Sequence, residues 1–244
     1  MESGKARLKR LDAEFERMEG GRTPVDAEDR AEVLGRLAST EKRQAEIEFH
    51  CRIKGGAHSD RWRETLRKSC AYYHRAFCLA RSQTWALAQE VALTLALDGS
   101  SAALPSQPIP QYHALASQLL DLDRRENDRL RRLWALGNLI ELELASLWLV
   151  ERFDEGALDE AAGKARERTE TLAEEFQAAV GRHDWELVSH RRQLIRYLDW
   201  LYCNPEQNEA SRAGAIEVQT WDRHVRKKIC ELCESLFSRL PPHG

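Results

Sequence analysis

Proline and glycine are scarce in this chain, with 7 Pro and 13 Gly among 244 residues, which excludes a collagenous, turn-dense or low-complexity polypeptide. Long hydrophobic runs are missing as well. The most apolar stretch, Ala76 to Leu97, is interrupted by Arg81, Gln83 and Glu90, so no segment offers the ~20 apolar residues of a membrane span. The first twenty residues, MESGKARLKRLDAEFERMEG, lack the apolar centre of a secretory signal. A soluble, cytoplasmic protein without a membrane association is expected. Six cysteines, at positions 51, 70, 78, 203, 230 and 233, fall mostly within helical pattern rather than in loops. They read as reduced thiols, not as the framework of a secreted disulfide protein.

Charge of one sign is also lacking: the formal net charge is −3, which provides no global attraction to polyanions, so nucleic acid could be held only by a local patch. No phosphate-binding glycine loop, doubled CxxC pair or nucleophile elbow is present. What is present is charge in quantity, 32% of residues, beside 42% hydrophobic residues. This balance describes exposed helices around a sizeable core. Arg, Ala and Leu outweigh Lys, a composition that fits a GC-rich bacterial coding sequence.

Apolar residues recur at spacings of three and four along most of the chain, as at Leu8, Leu11, Phe15 and Met18, and at Val218, Trp221, Val225, Ile229, Leu232 and Leu236. The pattern predicts an all-α fold, an irregular bundle of about eight helices with no strand. Thr23-Pro24 with Asp26 reads as the start of a helix that Gly55-Gly56 ends. Ser59 to about Leu97 reads as a single helix, about 38 residues long. The segments 76–97 and 133–150 are apolar nearly all round and are expected at the centre of the bundle. Three prolines within residues 98–111 mark a linker, giving an N-terminal lobe 1–97 and a C-terminal lobe 112–244 that could also pack as one domain.

Arginines cluster at Arg61-Arg63-Arg67-Lys68, Arg124-Arg125-Arg129-Arg131-Arg132, Arg191-Arg192-Arg196 and Arg223-Arg226-Lys227-Lys228. Acidic neighbours at helical spacing make solvated faces the first reading of these clusters. If two came together they would form a phosphate-binding groove, with Trp62, Tyr72 or Trp134 for stacking. Trp62, Trp185 and Trp200 lie among charged residues and are expected to be partly exposed, whereas Trp85 and Trp148 lie in apolar helices. Arginine with tryptophan is the pairing most enriched at protein interfaces. Arg61, Arg63, Arg124, Arg125, Arg131, Arg132, Arg191, Arg192, Trp62 and Trp185 are therefore the candidate contacts for a partner.

Cys70, His74 and Cys78 stand at i, i+4 and i+8, but the outer two are about 12 Å apart along a helix axis and cannot share an ion. Cys230 and Cys233 form a lone CxxC within an apolar stripe. Packed thiols explain both groups better than a metal, and neither a metal nor a cofactor is expected. Glu143 shares a helical face with Leu136, Ile140 and Leu147, so it is expected to face inward and to meet an Arg from another helix.

Arg67 and His74, in the element RKSCAYYH, sit two helical turns apart on one face. The spacing resembles the Arg-x(4 to 6)-His pattern of the HEPN ribonucleases, a family of small helical bundles. The resemblance covers eight residues, with Lys68 where a small polar residue is commoner. It implies metal-independent cleavage of RNA, with His74 supporting proton transfer at the 2′-hydroxyl and Arg67 stabilising phosphate charge. Beside it stand a small-molecule or metal-binding regulator, with a pocket near Glu143, His74 and Cys78, and the reading preferred here. That reading is a non-enzymatic interaction subunit holding a protein partner, within a bacterial ribonucleoprotein or defence complex, with RNA or DNA contact through the arginine clusters.

Overall fold

The computed structural model describes residues 4–19, 26–53, 61–104, 106–180, 185–202 and 215–239. Among them the chain forms nine α-helices and no strand. These are α1 (Gly4–Glu19), α2 (Ala27–Ile53), α3 (Arg61–Leu79), α4 (Thr84–Asp98), α5 (Ile109–Asp123), α6 (Arg129–Ala145), α7 (Glu155–Ala179), α8 (Trp185–Tyr202) and α9 (Ala215–Arg239). Two compact units, Met1–Leu93 and Thr94–Gly244, divide it.

The first unit is built on α2 and α3, which pack as an antiparallel hairpin with α1 against α2. The seam follows from spacing. Leu34, Leu37, Ala38, Ala45 and Phe49 of α2 meet Trp62, Leu66, Tyr73, Ala76 and Phe77 of α3, all buried. Each large aliphatic side chain removed from water in such a seam contributes ~1.5–3 kcal/mol. Ala31, Ala38 and Ala45 recur at every seventh position, and the helices approach closely enough there for Ser69 Oγ of α3 to donate to the Ala38 carbonyl at 2.8 Å.

Helix starts follow local chemistry. The Thr23-Pro24 pair lies outside the described residues, and the Asp26 carboxylate, just ahead of α2, accepts from the Glu28 N–H at 2.9 Å. Asp128 and Asp154 cap α6 and α7 in the same way, accepting from the N–H groups of Arg131 and Ala157. The single helix expected from Ser59 to Leu97 is a correction to the sequence reading: it is two helices, α3 and α4, separated by a turn at Ala80 to Gln83. Polar side chains within an apolar run cause the break. Ser82 Oγ donates to the Glu28 carboxylate at 2.6 Å, Gln83 Nε2 reaches the same carboxylate, and Trp85 Nε1 donates back to Gln83 Oε1 at 2.7 Å. These side-chain bonds, at the surface, hold the turn against the start of α2.

In the second unit α6 is central, touching α5, α7, α8 and α9. Its apolar face runs all round, and every residue from Ala135 to Leu142 is buried. At Gly137 the absent side chain makes room for a ring: a β-carbon there would lie 1.4 Å from His190 Cε1 of α8. The His190 imidazole fills that gap edge-on to Phe176, with centroids 4.6 Å apart.

The inward carboxylate of α6 is Glu141, not Glu143. Glu141 is 5% exposed and accepts from Tyr197 Oη at 3.1 Å and Gln193 Nε2 at 3.2 Å. Glu143 lies at the edge of the helix and pairs at 3.2 Å with the exposed Arg168 of α7. The two are two residues apart, about 200° around the helix, so only one of them can face α8.

Gly137→Ala should therefore lower unfolding free energy by about 2–3 kcal/mol, since the added methyl must displace a packed ring rather than a flexible chain end. Urea unfolding measures it. An unchanged midpoint would show that His190 moves aside at no cost.

Candidate functional site

Within the first unit, α1, α2 and α3 enclose a cleft of about 500 Å³. Helical spacing sets its walls. Arg61, Thr65, Lys68, Tyr72 and Arg75 recur every three or four residues on α3, one position away from the buried stripe that meets α2. Lys5 and Lys9 contribute from one face of α1, and Glu41 and Gln44 from α2. Five cations and two carboxylates, Glu41 and Glu64, thus line the cleft.

Buried acids draw these cations inward. Glu41 is 2% exposed; Lys5 Nζ reaches it at 2.8 Å and also donates to Gln44 Oε1, and Lys9 Nζ lies 3.9 Å away. Glu48, bonded to Thr65 Oγ1 at 2.7 Å and to Gln44 Nε2 at 2.8 Å, holds Arg61 at 3.2 Å. Asp12 of α1 lies 3.7 Å from both Arg30 and Arg75. Lys68, exposed on the rim, forms no ion pair with a described residue. Lys5, Arg61 and Arg75 are thus held by acids, while Lys9, 52% exposed, and Lys68 present positive charge to solvent, an arrangement suited to an anionic group.

His74 lies on the same helix, turned toward α4. Its Nδ1 is 3.0 Å and 3.2 Å from the two oxygens of Glu90, and Cys78 Sγ is 3.5 Å from Nε2. The imidazole is 43% exposed, whereas the Glu90 carboxylate is 10% exposed. His74 thus reaches solvent, as the HEPN resemblance requires. Arg67 is exposed two turns away, about 10 Å along the axis, too far for both side chains to meet one phosphate without bending toward each other.

The other candidate residues divide clearly. Arg61 and Lys68 belong to the cleft, while the Arg63 guanidinium stacks at 4.9 Å over the Trp62 ring. Trp62 itself is a correction. It is 1% exposed and packs edge-on to Phe49, as Trp200 is 1% exposed in the second unit, so neither offers an open surface. The charged neighbours that suggested exposure occupy the adjacent faces of each helix. Trp185 has its side chain outside those described.

Three of the arginines at 124–132 are matched by nearby acids, and Arg129 donates to the Ala179 carbonyl at 3.1 Å. Arg124 pairs with Asp121 at 2.8 Å and Glu175 at 3.6 Å, Arg125 with Asp121, and Arg131 with Asp123 at 2.8 Å and Glu126 at 3.0 Å; Arg132 is exposed. Arg191 lies 4.1 Å over the Phe237 ring and Arg192 is exposed. Cys230 and Cys233 are buried, and burial pushes the Cys233 thiol far above the usual range, so it stays protonated. Cys203 lies outside the described residues. Among the described residues no three His, Cys, Asp or Glu side chains could hold a metal ion, and no helix is long and apolar enough to cross a membrane.

Lys5 and Lys9 in the cleft, and Glu90 beside His74, escaped sequence reasoning because each is brought to its site by another helix, whereas Arg75 continues the stripe of Arg61 and Lys68 on α3 at helical spacing. Comparison with protein-family models, with curated proteins and with solved structures yields no match.

Burial raises the Glu90 carboxyl above its usual 4.5, and the facing His74 charge and hydrogen bond pull it part of the way back. The native carboxyl then binds a proton more readily than the unfolded one. The stability this contributes is fully present below pH 4.5 and is lost as pH rises through the raised native value. Glu90→Gln removes that loss, so its unfolding free energy relative to the parent protein should climb from pH 4.5 toward neutrality. Urea unfolding at a series of pH values reads the difference, and two parallel curves would contradict it.

Proposed function

We propose that this protein is a non-enzymatic helical interaction subunit that holds an acidic segment of a protein partner in the basic cleft between α1, α2 and α3. The observation that carries this reading is the convergence of five cations on one concave site of about 500 Å³. Lysine at the rim and arginine on a buried acid provide both attraction and a fixed register for carboxylates.

Protein is favoured over RNA for two reasons. Nucleic-acid recognition needs an extended track of phosphate contacts, whereas Arg124, Arg125 and Arg131, outside the cleft, are matched by Asp121, Asp123, Glu126 and Glu175. Single-stranded RNA also needs an open aromatic platform. Trp62 is sealed in the core, and Tyr72 has the Arg75 guanidinium 5.9 Å from its ring.

A second reading, an HEPN-like metal-independent ribonuclease, draws support from one observation, the 43% exposure of the His74 side chain with Glu90 behind it. An enzyme of that kind would lose RNA cleavage in His74→Ala.

Fluorescence anisotropy with a labelled glutamate-rich peptide tests the binding role, with a single-stranded RNA oligomer as competitor. The peptide should bind at low salt and release as salt rises. Charge reversal by Lys9→Glu or Lys68→Glu should each weaken it about three- to tenfold. Binding indifferent to both reversals, or RNA displacing the peptide at lower concentration than the peptide displaces RNA, would overturn the reading.

A further inference from the structure

We propose that Cys78 is a reactive thiol, with His74 as its base and Glu90 orienting that base, and that it accepts a covalent modification by thiol–disulfide exchange with a small-molecule disulfide. The site is separate from the basic cleft and independent of what the cleft binds.

Three elements of geometry build it. His74 and Cys78 are one turn apart on α3, so their side chains share a face, and Cys78 Sγ sits 3.5 Å from His74 Nε2. Glu90, delivered from α4 by the turn at Ala80 to Gln83, accepts from His74 Nδ1 at 3.0 Å. A carboxylate bonded at Nδ1 fixes the tautomer, keeping the proton there and turning the lone pair of Nε2 toward the sulfur. Nucleophile, base and orienting acid stand in the order that activates a cysteine in unrelated folds.

Exposure separates Cys78 from the two C-terminal thiols, and the imidazole beside it from the exposed Cys51. Cys78 is open to solvent, whereas Cys230 and Cys233 are buried. Burying a carboxylate costs several kcal/mol, and Glu90 could have been replaced by an apolar residue in the α4 seam; its position opposite an exposed imidazole gives that cost a chemical use.

The step balances without another reactant. The Cys78 S–H proton passes to His74 Nε2 and the sulfur attacks one sulfur of R–S–S–R. The S–S bond of the reagent breaks as the Cys78 Sγ–S–R bond forms. The departing R–S⁻ takes the proton from the imidazolium and leaves as R–SH. Cys78 is oxidised to the mixed disulfide and the leaving sulfur is reduced.

The test uses the full chain with limiting oxidised glutathione at neutral pH, sampled over time and mapped by peptide mass spectrometry. Cys51, also exposed, is the internal standard for an unassisted thiol. Cys78 should gain the adduct about tenfold faster than Cys51, or more. His74→Gln should bring the Cys78 rate down to that of Cys51 while leaving Cys51 unchanged, and Glu90→Gln should lower it part of the way. Equal rates at Cys78 and Cys51 in the unaltered protein would overturn the proposal by themselves, whatever the variants do. An undiminished Cys78 rate in His74→Gln would overturn it as well.

Discussion

In each unit a helix turn without a β-carbon receives an aromatic ring from a neighbouring helix, and much of the remaining geometry depends on that fit. A β-carbon on Gly35 of α2 would lie 2.6 Å from the Trp85 indole, and one on Gly137 of α6 would fall within the His190 ring. A ring seated in such a gap fixes both the distance and the rotation of its helix, because cores pack at crystal-like density and cannot absorb a shift of an ångström. In the first unit the consequence can be traced. Trp85 seated on Gly35 donates to Gln83, Gln83 and Ser82 hold Glu28, and the turn they set delivers Glu90, little more than one helical turn beyond Trp85, to His74. The acid behind His74 is thus a product of packing at the opposite end of the turn.

Several charged and polar groups inside the helices are paired across neighbouring helices. Lys42 donates to Gln89 at 2.6 Å, Ser39 and Tyr73 share a hydrogen bond at 3.0 Å, and Glu141 gathers Tyr197 and Gln193. Burial pushes the Tyr197 hydroxyl well above its usual range and Glu141 adds to this, so Tyr197 is a protonated donor at neutral pH. Such pairs add little net stability, but a slipped register would strand each group without its partner, at about 1–3 kcal/mol apiece. They therefore select the register that the apolar stripes alone would leave loosely determined.

The all-α architecture was legible in the sequence because it rests on local periodicity, and the buried row from Ala135 to Leu142 is where the apolar run indicated. What escaped was decided across helices. The run 76–97 reads as one apolar helix because Ser82 and Gln83 reveal their hydrogen-bonding role only once Glu28 of α2 stands opposite. The choice of Glu141 over Glu143 as the buried acid turns on which side of α6 meets α8, a rotation that an all-round apolar helix does not encode. Trp62 reads as exposed among arginines because the stripe it shares with Leu66, Ser69 and Tyr73 sits beside a charged one, and a one-residue offset separates core from surface.

The same contrast between local and convergent pairing decides where this molecule can attract an anion. Along 121–131 Arg124, Arg125 and Arg131 each find an acid within a few residues or on the adjoining helix, so much of the charge cancels where it arises. Around the cleft the acids Glu41 and Asp12 are buried, and each draws in two cations, counting Arg30 behind the wall. Glu48, half-buried, holds Arg61 alone, beside the neutral Gln44 and Thr65. A buried acid shared between cations neutralises only part of their charge, and the excess emerges at the mouth, where Lys68 adds to it. Basic residues are as numerous in the second unit, but there many are paired singly along exposed helix faces. Electrostatic capacity in this chain is thus a property of how three helices meet, which is why counting arginines along the sequence located one wall of the cleft and not the cleft itself.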